Sequence, residues 1–383
     1  MESSGHEESP RREPTGRRPG LPPVPSAVLL AGEAVKKVDW KRTFLLLLGL
    51  GLFTGVYLAP DLPDAIDPMG KSFDLTHEGK AALALFCLAV VWWVSEVVPI
   101  GITAITIGVI QALFLIRDAK VAFGDFMDPS VWFIIGSLVI GMAFTRTGLT
   151  KRLAYKMLTL VGERTSMIYL GSFVLTAGMT LIMAHTAVAA AVYPLLMAIY
   201  GLYTEDTKPT RFGKGLFMGM AFTAGAGSII TLLGAARGAV AIGFFKDIVG
   251  REVGFFELTW YMLPLGWLMV FLLWGFFMIV YKPEKARIKG LRERARNLNA
   301  KLGRITGREI LTIVVVLIAI AVMALRSFVP AFAAMNKSAV ILVATIAFFA
   351  FRILELEDLE KIPWNIVLLF GGAMSIGLCL WQT

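Results

Sequence analysis

The sequence predicts an all-α, polytopic membrane protein. Of its 383 residues, 57% are hydrophobic and the mean hydropathy is +0.71, whereas soluble domains sit near about 45–50% apolar. The apolar residues fall in blocks of about 17–25, the length that crosses about 30 Å of hydrocarbon as a helix. Lys and Arg collect in the tail and the loops, so the net charge of +9 reports topology and not a basic face for nucleic acid.

Residues 1–42 are rich in Pro, Gly, Glu and Arg and read as a disordered basic tail. The first apolar block starts at Phe44 without a small-residue cleavage site, so the tail is not a secretory signal. Spans are predicted at 43–59, 80–98, 100–116, 130–147, 215–245, 258–281, 308–326, 337–352 and 364–381. The tail carries Arg11, Arg12, Arg17, Arg18, Lys36, Lys37, Lys41 and Arg42, which places it in the cytoplasm. Asp61, Asp64, Asp67 and Asp74 then lie outside. The stretch 282–308 holds ten Lys and Arg and is predicted to be a basic cytoplasmic linker helix, separating 43–281 from 309–383. Cys87 and Cys379 both sit in apolar blocks, where neither a disulfide nor a zinc site has support.

Two apolar stretches are interrupted. In 165–200 the break is Met183-Ala184-His185-Thr186, and both flanks are basic: Arg146, Lys151, Arg152 and Lys156 before it, Lys208, Arg211 and Lys214 after it. Equal flanks predict a re-entrant hairpin turning at 183–187, whose tip backbone must be buried in protein or face water. In 215–245 the break is Thr231-Leu232-Leu233-Gly234-Ala235-Ala236-Arg237-Gly238, a predicted broken helix. A His and an Arg inside membrane-length segments are costly, on the order of 2.5–3.5 kcal/mol for a charge at the centre. Paired interrupted segments point to the binding site of a secondary transporter.

Ile134-Ile135-Gly136-Ser137-Leu138-Val139-Ile140-Gly141 resembles Phe370-Gly371-Gly372-Ala373-Met374-Ser375-Ile376-Gly377. One offset relates Gly136 to Gly372, Gly141 to Gly377 and Thr147 to Thr383. The two spans run in opposite directions, which predicts an inverted repeat. The repeat also predicts a second hairpin, a second broken helix and a final span after Thr383. On that expectation 309–383 is the start of a second repeat, and the chain ends early relative to a working transporter.

Trp92-Trp93-Val94-Ser95-Glu96-Val97-Val98-Pro99-Ile100 with Thr103-Ala104, and Pro363-Trp364 with Leu368-Leu369-Phe370-Gly371-Gly372, give the chain its resemblance. It resembles the divalent-anion/sodium symporter family of dicarboxylate, citrate and sulfate transporters from about residue 43 to 383. The resemblance implies two hairpins, two broken helices, a homodimer and elevator-type alternating access. Two segments depart from it. The family's Ser-Asn-Thr tip is Ala184-His185-Thr186 here, and its Gly-Thr-Pro-Pro-Asn is Gly234-Ala235-Ala236-Arg237-Gly238.

The candidate substrate-binding residues are His185, Thr186, Gly234, Ala235 and Arg237. Arg237 offers a bidentate fork to an oxyanion; its structural alternative is pairing with an acid or with free carbonyls of the broken helix. His185 offers a substrate hydrogen bond or a proton site, or sits neutral against a carbonyl or hydroxyl. Hard cations need oxygen ligands, and Ala184 and His185 supply none from their side chains. A first sodium site, if formed, lies near Ala184, His185 and Gly234. Glu96, beside Trp93 and Pro99, reads as fold-stabilising or gating. His-Glu-x-x-His, Gly-x-Gly-Asp and the P-loop pattern are absent, so an enzyme or ATPase reading has no support.

The expected function is secondary transport, by symport or exchange, of small divalent organic anions such as C4-dicarboxylates across the inner membrane. Na⁺ is the candidate coupling ion and no other cofactor is expected. The alternatives are a proton-coupled or sodium-independent exchanger, a sulfate permease, and a non-transporting remnant or anion sensor. The expected partners are the small anion, the lipid bilayer and a second copy of the chain.

Overall fold

The computed structural model describes residues 39–60, 65–66, 72–73, 75–204 and 208–383. Residues 1–38 of the predicted tail, and Asp61, Asp64, Asp67 and Asp74, lie outside them. By contact the chain divides into Met1–Phe44 and Leu45–Thr383.

The helices run α1 (Trp40–Tyr57), α2 (His77–Ser95), α3 (Ile100–Leu113), α4 (Ala119–Gly124) and, after a 3₁₀ turn at Asp125–Met127, α5 (Pro129–Thr147). Then come α6 (Leu149–Val161), α7 (Thr165–Thr180), α8 (His185–Tyr203), α9 (Arg211–Ser228) and α10 (Ala236–Val249). The rest are α11 (Phe255–Val280), α12 (Leu291–Lys301), α13 (Gly307–Leu325), α14 (Pro330–Ala333), α15 (Lys337–Ala350), α16 (Leu356–Glu360) and α17 (Trp364–Gln382). A two-residue antiparallel pair joins Ala65–Ile66 to Ser72–Phe73. By length and composition, His77–Ser95, Ala119–Thr147, His185–Tyr203, Phe255–Val280, Gly307–Leu325 and Trp364–Gln382 qualify to cross a membrane. The protein is an integral, multi-pass membrane protein.

Several boundaries differ from the sequence reading. The first helix begins at Trp40, within the predicted tail. The basic linker is helical only over Leu291–Lys301, because Gly290 (φ +78°) and Gly303 (φ +63°) adopt left-handed backbone and stop the helix at both ends. The Trp-Trp-Val-Ser-Glu-Val-Val-Pro segment is the reversal between α2 and α3. Glu96 ends α2 in a left-handed conformation (φ +47°), Pro99 caps α3, and Trp93 Nε1 donates to Ile100 O at 3.2 Å.

Loop contacts sort into two groups. Arg152 Nε donates to buried Glu309 at 2.9 Å, Arg146 lies 3.7 Å from Asp358, and Arg164 bridges Arg287. In the other group, Thr76 Oγ1 donates to Thr383 O at 3.1 Å, Ser338 donates to Pro129 O, and Glu252 pairs with Arg326 at 3.5 Å and Lys337 at 3.6 Å. Both outer ends of the pair α7–α8 meet the segment 281–288. Thr165 N donates to Ala286 O at 3.1 Å, and Tyr203 Oη donates to Glu284 at 2.8 Å.

Close packing rests on glycine. Gly215 and Gly219 form a Gly-x-x-x-Gly face on α9 that receives Tyr169 and Phe173 of α7. A Cβ on Gly219 would stand 2.0 Å from Phe173 Cζ. Small residues of this kind set helix association in membranes, where apolar surface gains little from leaving lipid. A Cβ on Gly372 of α17 would meet Ala104 of α3 at 2.6 Å, and one on Gly136 of α5 would meet Ile341 of α15 at 2.7 Å. So α5 packs on α15 as α17 packs on α3.

Gly219→Val should lower the thermal midpoint in detergent, since overpacking costs about 1–3 kcal/mol; an unchanged midpoint refutes this packing. Burial pushes the Glu284 carboxyl up, but hydrogen bonds from its own backbone, Tyr203, Arg211 and Phe212 outweigh it and hold it below the usual carboxylate range. A depressed folded value gives stability above the unfolded value that is lost as pH falls through the folded one. Because Glu284 is exposed, the acid effect should be small. Protection factors for hydrogen exchange at 165–169, taken relative to the intrinsic rate at each pH, should fall below the carboxylate range in the native chain and lose that fall in Glu284→Gln.

Candidate functional site

The site is built where two interrupted helices touch. Helix α7 ends at Thr180 and α8 starts at His185, so the hairpin tip is Leu181–Ala184. Helix α9 ends at Ser228 and α10 starts at Ala236, so the break is Ile229–Ala235. Each break lies two or three residues upstream of its sequence-predicted position. His185 and Thr186 therefore form the first turn of α8, and Arg237 the first turn of α10, instead of lying in unwound chain.

Four hydrogen bonds hold the breaks together. His185 N donates to Gly234 O at 2.9 Å, and Nδ1 of the same residue lies 3.1 Å from that oxygen. Thr231 Oγ1 donates to Leu181 O at 2.8 Å. Ser137 Oγ of α5 donates to Leu233 O at 2.6 Å. A carbonyl cannot donate, so the Nδ1 contact requires a proton on Nδ1 and leaves Nε2 for any further partner. Gly234 has no room for a side chain: a Cβ would sit 2.5 Å from Thr180 O.

The structure brings Ala184, His185 and Thr186 around one cavity of about 30 Å³, closed by Ser137 and Phe133 of α5, Leu232 of the break, and Ile366 and Phe370 of α17. That volume holds about one or two waters, not a four-carbon dianion. Gly234 and Ala235 lie buried behind the tip. Arg237 is exposed and does not line the cavity; its guanidinium donates to Gly225 O at 3.3 Å and Ser228 Oγ at 3.2 Å, both on α9. These contacts do not bring His185, Thr186 and Arg237 into one cavity.

Both helix starts lack a side-chain cap, because Ala184 and Ala235 occupy the N-cap positions. The first amides of a helix have no intrahelical acceptor, and the positive end of the helix dipole favours an anion. For Na⁺ the oxygens are largely committed: Gly234 O takes two donors, and Leu181 O and Leu233 O one each. Thr186, in the first turn of α8, adds a hydroxyl to the cavity lining. Among the described residues no three His, Cys, Asp or Glu side chains gather to hold a metal.

Sequence reasoning missed Ser137, whose only signal was a hydroxyl within the Gly-rich repeat segment. It also missed Arg117, which is buried and bonded to Asp125 at 2.6 Å and to Ser375 O at 3.3 Å, tying α17 to the loop after α3.

A bundle of membrane-length helices with a helical hairpin seated against a broken helix defines a class: integral membrane proteins of transporter build. Residues 66–383 match the family described as the sodium:sulfate symporter transmembrane region, and the chain belongs to that family. This is a family of transporters and not of enzymes. The chain is similar to the sodium-dependent dicarboxylate transporter SdcS of Staphylococcus saprophyticus, 22% identical over 350 residues, covering 85% of this chain and 67% of that one. It is likewise similar to SdcS of Staphylococcus aureus strain bovine RF122, 22% identical over 324 residues, covering 79% and 62%. The chain thus spans about two thirds of the length of these relatives.

His185→Asn keeps a donor near the Nδ1 position and should preserve the tip, whereas His185→Ala removes one of the two donors to Gly234 O, the backbone N–H remaining, at a cost of about 0.5–1.5 kcal/mol. Thermal midpoints of the two variants check this; equal midpoints would remove the Nδ1 bond from the account.

Proposed function

We propose that this chain forms the anion-receiving part of a secondary transporter for small divalent organic anions of the C4-dicarboxylate class. The observation that carries the reading is the meeting of two uncapped helix starts, at His185 and Ala236, joined through Gly234. Half-helix starts at a break suit a substrate carboxylate. The SdcS relatives are named as sodium-dependent dicarboxylate transporters, which supports the substrate class and Na⁺ as the coupling ion. On this reading Thr186 and His185 Nε2 contact one carboxylate. Arg237 leaves its two long bonds on α9 to take the other.

The hairpin is re-entrant on this reading, supported by the attachment of both ends to 281–288. The exchange of partners between α3–α17 and α15–α5 supports an inverted repeat. The Lys and Arg distribution supports a cytoplasmic tail and linker. A second reading, exchange without sodium at the first position, is favoured by the committed carbonyls around Gly234.

The test is succinate binding and uptake by the purified chain in proteoliposomes. Wild type should bind succinate. Arg237→Lys keeps the charge and loses the fork, so its affinity should fall by about 1.5–3 kcal/mol, and Arg237→Ala should lose at least as much. Unchanged affinity in Arg237→Ala refutes the assignment of Arg237. No binding by wild type overturns the proposal. A Hill coefficient for Na⁺ above two would sink the second reading.

A further inference from the structure

We propose that the cleft between α6, α8 and α12 binds one anionic phospholipid, its acyl chain against α8 and its phosphate held by Lys151 and Arg294. The cleft has a volume of about 140 Å³ and is the work of three elements that converge beside the hairpin's outer end. Its walls are apolar: Ala154 and Leu158 from α6, Ala191, Ala198 and Leu202 from α8, and Leu298 from α12. Two cations complete the lining, Lys151 on α6 and Arg294 on α12, and no acidic residue does.

Both side chains are exposed, and neither makes a hydrogen bond or ion pair with another described residue. Arg152, next to Lys151, is by contrast committed to Glu309 and to the carbonyls of Gly303, Leu302 and Arg304. The helices themselves explain the arrangement. Helix α6 buries Leu149, Thr150, Ala154 and Leu158 and turns Lys151 outward. Helix α12 buries Leu291 and Ala295 within a sequence dense in Arg. Amphipathic helices of this kind lie at the edge of a bilayer, where basic pockets between helices select anionic headgroups.

An apolar slot ending in two free cations matches a molecule with a hydrocarbon tail and a phosphate. A free phosphate would leave the slot unused, and a neutral lipid would leave the cations unused. Such a lipid would tie α8, the second hairpin arm, to the two interfacial helices. The site is separate from the His185–Gly234 region and does not depend on the transport reading.

Native mass spectrometry of the purified full chain, delipidated and then titrated with dioleoyl-phosphatidylglycerol or dioleoyl-phosphatidylcholine, tests this. Wild type should retain one phosphatidylglycerol with a preference over phosphatidylcholine of about tenfold or more, as two headgroup cations supply. Lys151→Gln with Arg294→Gln should abolish the preference, and Lys151→Arg with Arg294→Lys should restore it. Ala198→Phe fills the slot with both charges intact and should abolish retention. Glycerol 3-phosphate in excess should not displace the lipid. Equal retention of the two lipids, retention unaffected by the Gln pair or by Ala198→Phe, or displacement by glycerol 3-phosphate would each overturn the proposal. A Gln pair that fails to fold leaves the decision to Ala198→Phe and the competition.

Discussion

Backbone groups released by a helix break inside an apolar segment must find partners within the protein, and this constraint organises the centre of the chain. A lipid-facing carbonyl without a donor costs several kcal/mol. Two breaks, at 181–184 and 229–235, release such groups. Neither break satisfies all of its own carbonyls. Leu181 O is answered by Thr231 of the other break, Gly234 O by His185, and Leu233 O by Ser137 of a third helix. The hairpin and the broken helix are therefore each incomplete alone and specify one another's position.

Such bonds need the backbones close together, and the glycines supply that closeness. Gly227 and Gly234 approach Thr180 and Ala177 at distances where a Cβ would stand 2.5 Å from an oxygen. Gly215 and Gly219 do the same against Tyr169 and Phe173 further along α9. The aromatic stack of Tyr169 on Phe212 and Phe173, with ring centres 5.2 and 5.7 Å apart, then locks α7 to α9. Polar satisfaction at the breaks and glycine packing along the helices are two ends of one arrangement.

Five of the nine predicted spans were legible because a bilayer demands a run of about 20 apolar residues, a demand that α2, α5, α11, α13 and α17 meet, whereas α3 and α15 are shorter. The breaks were legible because His185 and Arg237 stand out in apolar surroundings. Their positions were not. The tip residues Leu181, Ile182 and Met183 are as apolar as the helices they separate, and Ala184 and Ala235 carry no capping signal. A helix that ends without a cap leaves no mark in the sequence. The linker helix was overextended for the opposite reason: its run of Lys and Arg marks the whole stretch 282–308 alike, while Gly290 and Gly303 set the length of the helix. An intramembrane Arg announces that it needs partners without naming them, and here they are Gly225 O and Ser228 Oγ.

That last pairing shapes the proposed anion site. A helix start contributes about 0.3–1 kcal/mol to a nearby anion, and a hydrogen bond to a charged group about 1.5–3 kcal/mol. Two helix starts alone therefore give a weak, orienting preference for a carboxylate, and a guanidinium decides affinity. Arg237 is bonded to neutral acceptors at 3.2 and 3.3 Å, long for a charged donor, whose bonds usually run about 2.7–2.9 Å. Its partners are good enough to keep the charge stable beside apolar neighbours and poor enough to be exchanged for a carboxylate. On the proposed reading that exchange is what distinguishes the occupied site from the resting one. The side chain sits in the first turn of α10, so leaving α9 would couple the arrival of an anion to the relation between the two arms of the broken helix.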